Sequence, residues 1–314
     1  MSIPKQTRQR IIFLLGPTAS GKTDTAVCLA KKIKGEIISC DSMQVYKGMD
    51  ILTSKPKMNL RRKIPHHLID IVSPEYEYNV SKYRQSAMIK VKEILKKGKV
   101  PIFVGGTGLY ASVMLDGIFE VKAEDKLLRK RLYKEAQDRG SIYLYNRLKV
   151  IDPEAVLKIH PNDTRRIVRA LEVFYLTGKP ISYLQKQRVG LLKEYDVKIF
   201  CLDLKRDELY KRIEERIDRM FDDGLLDEVK KLLKLKLSRT ANCAIGIKEI
   251  KGYLNGLYDL EEAKRLMKRN SRLYAKRQLT WFRKDKRINW IPVKVTDKPE
   301  DIAKKILAKW KEFY

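Results

Sequence analysis

The stretch IIFLLGPTASGKT, Ile11 to Thr23, decides the fold. Ile11 to Leu15 are five apolar residues in a row, the pattern of a short buried strand, and Gly16 ends the run. After Lys22, TDTAVCLAKKIK places apolar residues at helical spacing. Between strand and helix, Gly16, Gly21, Lys22 and Thr23 satisfy G-x-x-x-x-G-K-[ST] without a mismatch. The glycines let the backbone wrap closely, so that amide hydrogens and the helix N-terminus face a polyphosphate. Lys22 adds positive charge, and the Thr23 hydroxyl is suited to ligate Mg²⁺. The loop Gly16, Pro17, Thr18, Ala19, Ser20, Gly21, Lys22 and Thr23 is therefore the candidate phosphate site. The motif does not separate a nucleoside triphosphate from any other Mg²⁺-bound diphosphate.

Outward from this loop, EIISC (Glu36 to Cys40) reads as a second buried strand ending at Asp41, and VPIFV (Val100 to Val104) as a third ending at Gly105-Gly106. Val80 to Lys97 between them has the periodicity of an amphipathic helix. Val197 to Leu204 restores the strand pattern, and helical patterns follow from Asp207 through Leu235 and from Leu260 through Lys284. Strands alternating with helices predict an α/β fold, a P-loop parallel sheet core covered by helices. Ala123 to Gln187 breaks the alternation. It is long, charged and helical, with no convincing strand, and is punctuated by Asp152-Pro153, His160-Pro161 and Gly178-Lys179-Pro180. We expect an inserted all-helical domain over 116–195, with 1–115 and 196–314 as the two parts of the core.

The 314 residues carry 68 Lys plus Arg against 39 Asp plus Glu, a formal charge of +29. A balance this basic points to a polyanionic partner, nucleic acid first. With 44% hydrophobic residues the chain can bury a core, so its charges belong on a surface rather than in a disordered polymer. Cys28, Cys40, Cys201 and Cys243 lie far apart with no CxxC pair, and are expected to be reduced and mostly buried. No segment has the length of a membrane span, and Ile11 to Leu15 is too short for a signal-peptide core, so a cytoplasmic location is expected; separately, the protein is expected to be a monomer.

An acid closing a second buried strand is what an ordinary ATPase shows, and Asp41 stands there. VPIFV instead closes on GGTG (Gly105 to Gly108), without a carboxylate. Six segments in order then resemble one family, bacterial-type tRNA dimethylallyltransferase, also called tRNA isopentenyltransferase. They are GPTASGKT (16–23), SCDSMQVYKGMDI with TSKP (39–56), VGGTGLY (104–110), HPNDTRRIVRALEV (160–173), RIEERIDRMFDDGLLDEV (212–229) and KRQLTWFR (276–283).

The resemblance implies that the loop 16–23 holds the diphosphate of dimethylallyl diphosphate, with Mg²⁺ on Thr23. It implies transfer of the five-carbon group to N6 of adenine 37 in the anticodon stem-loop of tRNA. Asp41 would be the general base or acceptor at the adenine amine, Arg216 a further diphosphate-binding arginine and Thr107 an active-site threonine. On helical spacing alone, Arg216 reads as a solvent-facing charge. Asp41, Ser42, Met43, Gln44 and Thr107 would meet tRNA beside the target base. Arg129, Arg165, Arg166 and Arg169 would reach it from the inserted domain, and Lys276, Arg277 and Gln278 from the basic helix after Leu260. Trp281 and Phe282 in that helix read as core residues rather than stacking platforms.

His66, His67 and His160 have no second ligand at metal spacing. Asn162 or Asp163 more plausibly caps the helix carrying the arginines, and IPHHLID looks like a loop. Two departures stand out. Ile247 follows Gly246 where relatives usually show an aromatic, which weakens RNA contact by CAIGIKE, and the zinc-finger extension of eukaryotic relatives is not expected after Tyr314. The rival readings are an adenylate isopentenyltransferase acting on free AMP, a P-loop kinase, and a noncatalytic RNA-binding protein. The large basic insertion speaks against the first, because a small acceptor needs no clamp.

Overall fold

A strand without a polar side chain is stable where both of its faces are covered. In the computed structural model, which describes residues 8–119 and 125–311, Ile11 to Leu15 sit at such a position. β1 (Arg10–Leu15) lies inside a six-stranded sheet with β2 (Gly35–Ser39), β3 (His66–His67), β4 (Val100–Gly105), β5 (Asp196–Asp203) and β6 (Asn289–Pro292). Every pairing is parallel, in the order β3-β2-β4-β1-β5-β6. Helices surround the sheet, and the architecture is α/β. Phe13 pairs with Phe103 across β1 and β4, and their rings stack with centroids 4.4 Å apart, which pins the register.

The chain divides into two compact units, Met1–Met114 with Glu194–Tyr314, and Leu115–Lys193. The sheet and its helices form the first. In the second, helices Lys126–Arg139, Ser141–Ile151 and Thr164–Thr177 bury Leu132, Leu144, Leu148, Ile167 and Leu171 in a core of their own. The expected start of the helical stretch at Ala123 lies outside the described residues, as does Tyr314. No described helix is long and apolar enough to cross a membrane.

Four differences from the sequence reading have local causes. The helical pattern from Asp207 to Leu235 is two helices, Arg206–Asp222 and Leu225–Leu232, because the chain turns at Gly224 with φ of 96°. IPHHLID contains β3, and NWIP is β6; strands of two and four residues are too short to show a period. Of the cysteines, Cys40 and Cys201 are buried, Cys28 is half-buried and Cys243 is exposed, so burial is less general than expected. Burial pushes the Cys40 and Cys201 thiols up to about 12, which leaves them unreactive.

β3 explains one of the histidines. Glu36 on β2 is 1% exposed, and its carboxylate takes the His67 ring nitrogen at 2.7 Å and Lys99 Nζ at 2.7 Å. Burial opposes ionisation, but the Lys99 and His67 hydrogen bonds outweigh it and hold the carboxyl at about 2, against an ordinary 4.5. A carboxyl with a depressed folded pKa stabilises the fold above its unfolded value and ceases to do so as pH falls through the folded one. The Glu36 contribution, on the order of 3 kcal/mol by the linkage relation, should therefore disappear as pH falls from about 4.5 to about 2. Urea unfolding across that range should show a shallower loss in Glu36→Gln than in wild type; parallel curves would assign the acid sensitivity elsewhere.

Candidate active site

Parallel strands end at one edge of their sheet, and loops leaving adjacent strands there make the usual site of an α/β fold. Here three loops leave the neighbours β2, β4 and β1. The ends of β2 and β4 stay joined past the last ladder pair: Cys40 N donates to Val104 O at 2.8 Å, and Thr107 N donates to Cys40 O at 3.2 Å. A Cβ at Gly105 would lie 2.1 Å from Cys40 O, so only glycine allows this approach. Asp41 and Thr107 are thereby brought together. Ser42 N donates to Thr107 Oγ1 at 3.1 Å, and Met43 N donates to Asp41 Oδ1 at 2.8 Å, which orients the carboxylate.

The third loop is the phosphate loop. Ala19 and Gly21 take positive φ, 62° and 85°, to turn the backbone onto the helix Lys22–Ile33. Ser20 is fully buried, and Lys22 Nζ donates to Pro17 O at 2.5 Å and to Ser20 Oγ at 3.3 Å. Arg216, from helix Arg206–Asp222, donates to Thr18 Oγ1 at 2.9 Å. Burial lowers Lys22 to about 8, with the neighbouring Arg216 charge adding to it. Burial likewise lowers Arg216 to about 10, against the pull of Asp41. Two desolvated cations beside one carboxylate favour an incoming polyanion.

Thr18 is held from a second side. Its N–H donates to Gln278 Oε1 at 2.9 Å, and Gln278 Nε2 donates to Gly106 O at 2.9 Å. Gln278 is 6% exposed, and a Cβ at Gly106 would sit 2.1 Å from its amide nitrogen. Gln278 thus has both ends of its amide taken by backbone, the Oε1 by the phosphate-motif loop and the Nε2 by the loop after β4. Its neighbours Lys276 and Arg277 are exposed. Trp281 and Phe282 divide. Phe282 is buried as expected, whereas Trp281 is 48% exposed and lies against Gly108, because only one of two adjacent helical residues can face the core.

Two clefts meet at these loops. A polar one of about 90 Å³ is lined by Lys22, Thr23, Ser39, Gln44, His66 and Gln278 among others, and an apolar one of about 310 Å³ by Met43, Leu52, Ile213, Ile217, Met220 and Met267. Thr18, Asp41, Thr53, Arg216 and Tyr274 line both. Tyr274 was missed from the sequence because it occupies an apolar-face position of its helix. Burial, and then the Asp41 charge, push its phenol up to about 12, so it stays protonated beside that carboxylate. In CAIGIKE, Ile247 is fully buried, and Cys243, Ala244 and Ile245 are the residues that line the apolar cleft.

In the helical unit, Asp163 caps helix Thr164–Thr177 by accepting from Arg166 N, and its carboxylate also pairs with the Arg166 side chain at 2.5 Å. Arg129 and Arg169 converge on Glu172, which is fully buried, at 2.9 and 2.7 Å. A buried carboxylate needs such partners. Of the four arginines expected to reach RNA, Arg129 and Arg169 hold Glu172, whereas Arg165 and Arg166 are exposed.

Known proteins share this arrangement of motifs. A family model described as IPP transferase matches residues 44–285, and one described as isopentenyl transferase matches residues 9–65. The tRNA dimethylallyltransferase of Halothermothrix orenii is 49% identical over 91% of this chain and 88% of its own. The chain belongs to the IPP transferase family. Another relative, the tRNA dimethylallyltransferase of Pelotomaculum thermopropionicum, is 46% identical over 95% of this chain and 96% of its own. Among solved IPP transferases, the tRNA isopentenylpyrophosphate transferase of Bacillus halodurans aligns with a TM-score of 0.70 and 40% identity, over 97% of this chain and 98% of that one. A eukaryotic dimethylallyltransferase acting on tRNA aligns with 0.84 and 31%, over 97% and 79%.

If Gln278 braces this IPP transferase site, Gln278→Leu leaves Thr18 N and Gly106 O without their partner. Each group left unpaired costs about 1–3 kcal/mol, so chemical unfolding should register a loss of about 2–6 kcal/mol, against less than about 0.5 for Arg277→Ala. Equal effects at the two positions would remove the bracing role.

Proposed function

We propose that this IPP transferase moves the dimethylallyl group of dimethylallyl diphosphate to N6 of adenine 37, beside the anticodon of tRNA, and releases diphosphate. One observation carries the reading: Asp41 stands where a cationic phosphate cleft opens into an apolar one. A prenyl diphosphate has those two characters joined at the carbon that reacts.

The diphosphate lies on the loop 16–23, under Lys22, Arg216 and the amides at the helix N-terminus, and the apolar cleft takes the five-carbon chain and the face of the base. The N6 lone pair attacks C1 of the prenyl group, the C1–O bond breaks with its electron pair going to the diphosphate, and the N6 proton passes to Asp41. An exocyclic amine conjugated with a purine is a weak nucleophile, and a carboxylate that accepts its proton as the bond forms makes it competent. Lys22 and Arg216 face the charge that develops on the leaving group. Thr23, in the first turn of its helix, lines the polar cleft and supplies a hard oxygen donor that suits Mg²⁺. Bound there, the ion would neutralise leaving-group charge.

Adenine 37 is stacked in the anticodon loop and must flip out, at a cost of a few kcal/mol that neighbouring contacts offset. Ser42, Met43 and Thr107 surround its entry; Arg165 and Arg166, with Lys276 and Arg277, supply backbone contacts whose strength depends on salt.

Incubation with Mg²⁺, labelled dimethylallyl diphosphate and either unmodified tRNA or AMP tests this directly. Label should enter adenine 37 of tRNA and not AMP. Label in AMP alone would overturn the acceptor, and ATP consumption without prenyl transfer would return the loop to nucleotide work. Asp41→Asn should lower kcat by about 10²–10⁴-fold, with tRNA affinity within a few-fold; near-normal turnover would take Asp41 out of the proton transfer.

A further inference from the structure

We propose that Glu228 is a positioning residue for this transfer, holding by its carboxylate the loop segment that walls Asp41; the proposal rests on the function given above. Glu228 lies in the first turn of helix Leu225–Leu232, where an acid ordinarily does no more than face the helix dipole. Here it reaches out of its helix. Oε2 accepts from Asp50 N and Ile51 N, both at 2.9 Å, and Oε1 accepts from Leu52 N at 2.8 Å. Three successive amides of a segment in neither helix nor strand end on one carboxylate. Such a group alone offers two charged oxygens with about four acceptor positions.

The held segment runs directly into the site. Leu52 walls the apolar cleft and Thr53 both clefts. Thr53 O accepts from Gln44 Nε2 at 3.4 Å, and Gln44 Oε1 accepts from the Ser39 hydroxyl at 2.9 Å. Asp41 lies on the backbone between Ser39 and Gln44, so the chain of bonds from Glu228 closes around it. Lys55 anchors the far side of the same loop, donating to Tyr46 O at 2.6 Å and to the Asp50 carboxylate at 2.7 Å, and pairing with Asp70. Lys55 therefore fixes where the loop leaves, and Glu228 fixes the residues that face substrate. None of the Glu228 bonds reaches the phosphate loop, which predicts a specific kinetic signature.

Glu228→Ala, Glu228→Gln and Glu228→Asp are compared with wild type well below each melting midpoint. In Glu228→Ala, kcat should fall at least about tenfold while KM for dimethylallyl diphosphate stays within about threefold, the size of effect expected when reacting groups are slightly misplaced. Glu228→Gln, which keeps an acceptor oxygen, should recover part of the loss. A folded Glu228→Ala with wild-type kcat, whatever its melting temperature, overturns the proposal. If Glu228→Ala does not fold, Glu228→Asp decides: the carboxylate drawn back by one methylene should lower kcat at unchanged diphosphate KM, and a wild-type kcat overturns the role. Hydrogen exchange without substrate decides independently of activity. Exchange should rise in Glu228→Ala over both 49–56 and 39–46, and a rise confined to 49–56 overturns the proposal. Failure of wild type to transfer the prenyl group would overturn the function instead, leaving the exchange result to judge Glu228.

Discussion

The carbonyl of Cys40 is the point on which the active edge of the sheet depends. It accepts Thr107 N one step past the end of β2, and the backbone of β4 can come that close only because Gly105 has no side chain. That bond places the loop bearing Asp41 against the loop bearing Thr107, next to the phosphate loop that leaves β1. Stacking of Phe13 on Phe103 sets β4 in register with β1, its neighbour on the other side. A shift of one residue would reverse the faces of β4 and take Thr107 away from Ser42. The site is thus a consequence of sheet register, with side chains added to it.

Charge plays a more selective part than the formal +29 suggests. Along helix Leu260–Phe282, Lys268 pairs with Asp218 and Arg272 with Glu214, both acids of helix Arg206–Asp222, so two of the seven basic residues of that helix form an interhelical ladder. That ladder fixes the helix from which Arg216 projects. Lys22 and Arg216, by contrast, sit desolvated at the cleft, and their lowered pKa values measure how poorly the free protein solvates them. The site is strained electrostatically in the direction that an anion relieves.

What the sequence disclosed, and what it concealed, follows from the range of each interaction. The phosphate loop, β1, β2, β4 and β5 were legible because apolar runs and glycine spacing are local patterns. Asp41 was legible as the residue ending a buried strand. The bracing by Gln278 was not legible because its partners lie 172 and 260 residues away, and a basic neighbourhood concealed a buried amide. Glu228 had a motif but no role for the same reason, its partners being about 177 residues distant. Arg129 and Arg169 show the converse: their spacing is visible, but Glu172, the buried acid they serve, looks in sequence like any helical glutamate.

A loop that activates an allylic diphosphate has a competing reaction, because water, though a weaker nucleophile, is abundant and attacks the same carbon. Selectivity for transfer must come from what adjoins the loop. Here the reacting carbon would sit at Asp41, with Ile213, Ile217, Met220 and Met267 beyond it, side chains that offer water no hydrogen bond. The polar groups at that junction already have partners or a defined protonation state: Thr18 is held by Arg216 and Gln278, Thr107 accepts from Ser42 N, and Tyr274 stays protonated. In the proposed reaction, the proton acceptor Asp41 would then be met by a group that brings its own hydrogen-bonding edge into the cleft. An exocyclic amine on a flat base does so, and a loose water lacks the stacking surface that would hold it there. The apolar cleft and the braced polar rim therefore act together, and the division of the site into two clefts is what turns a phosphate loop to group transfer.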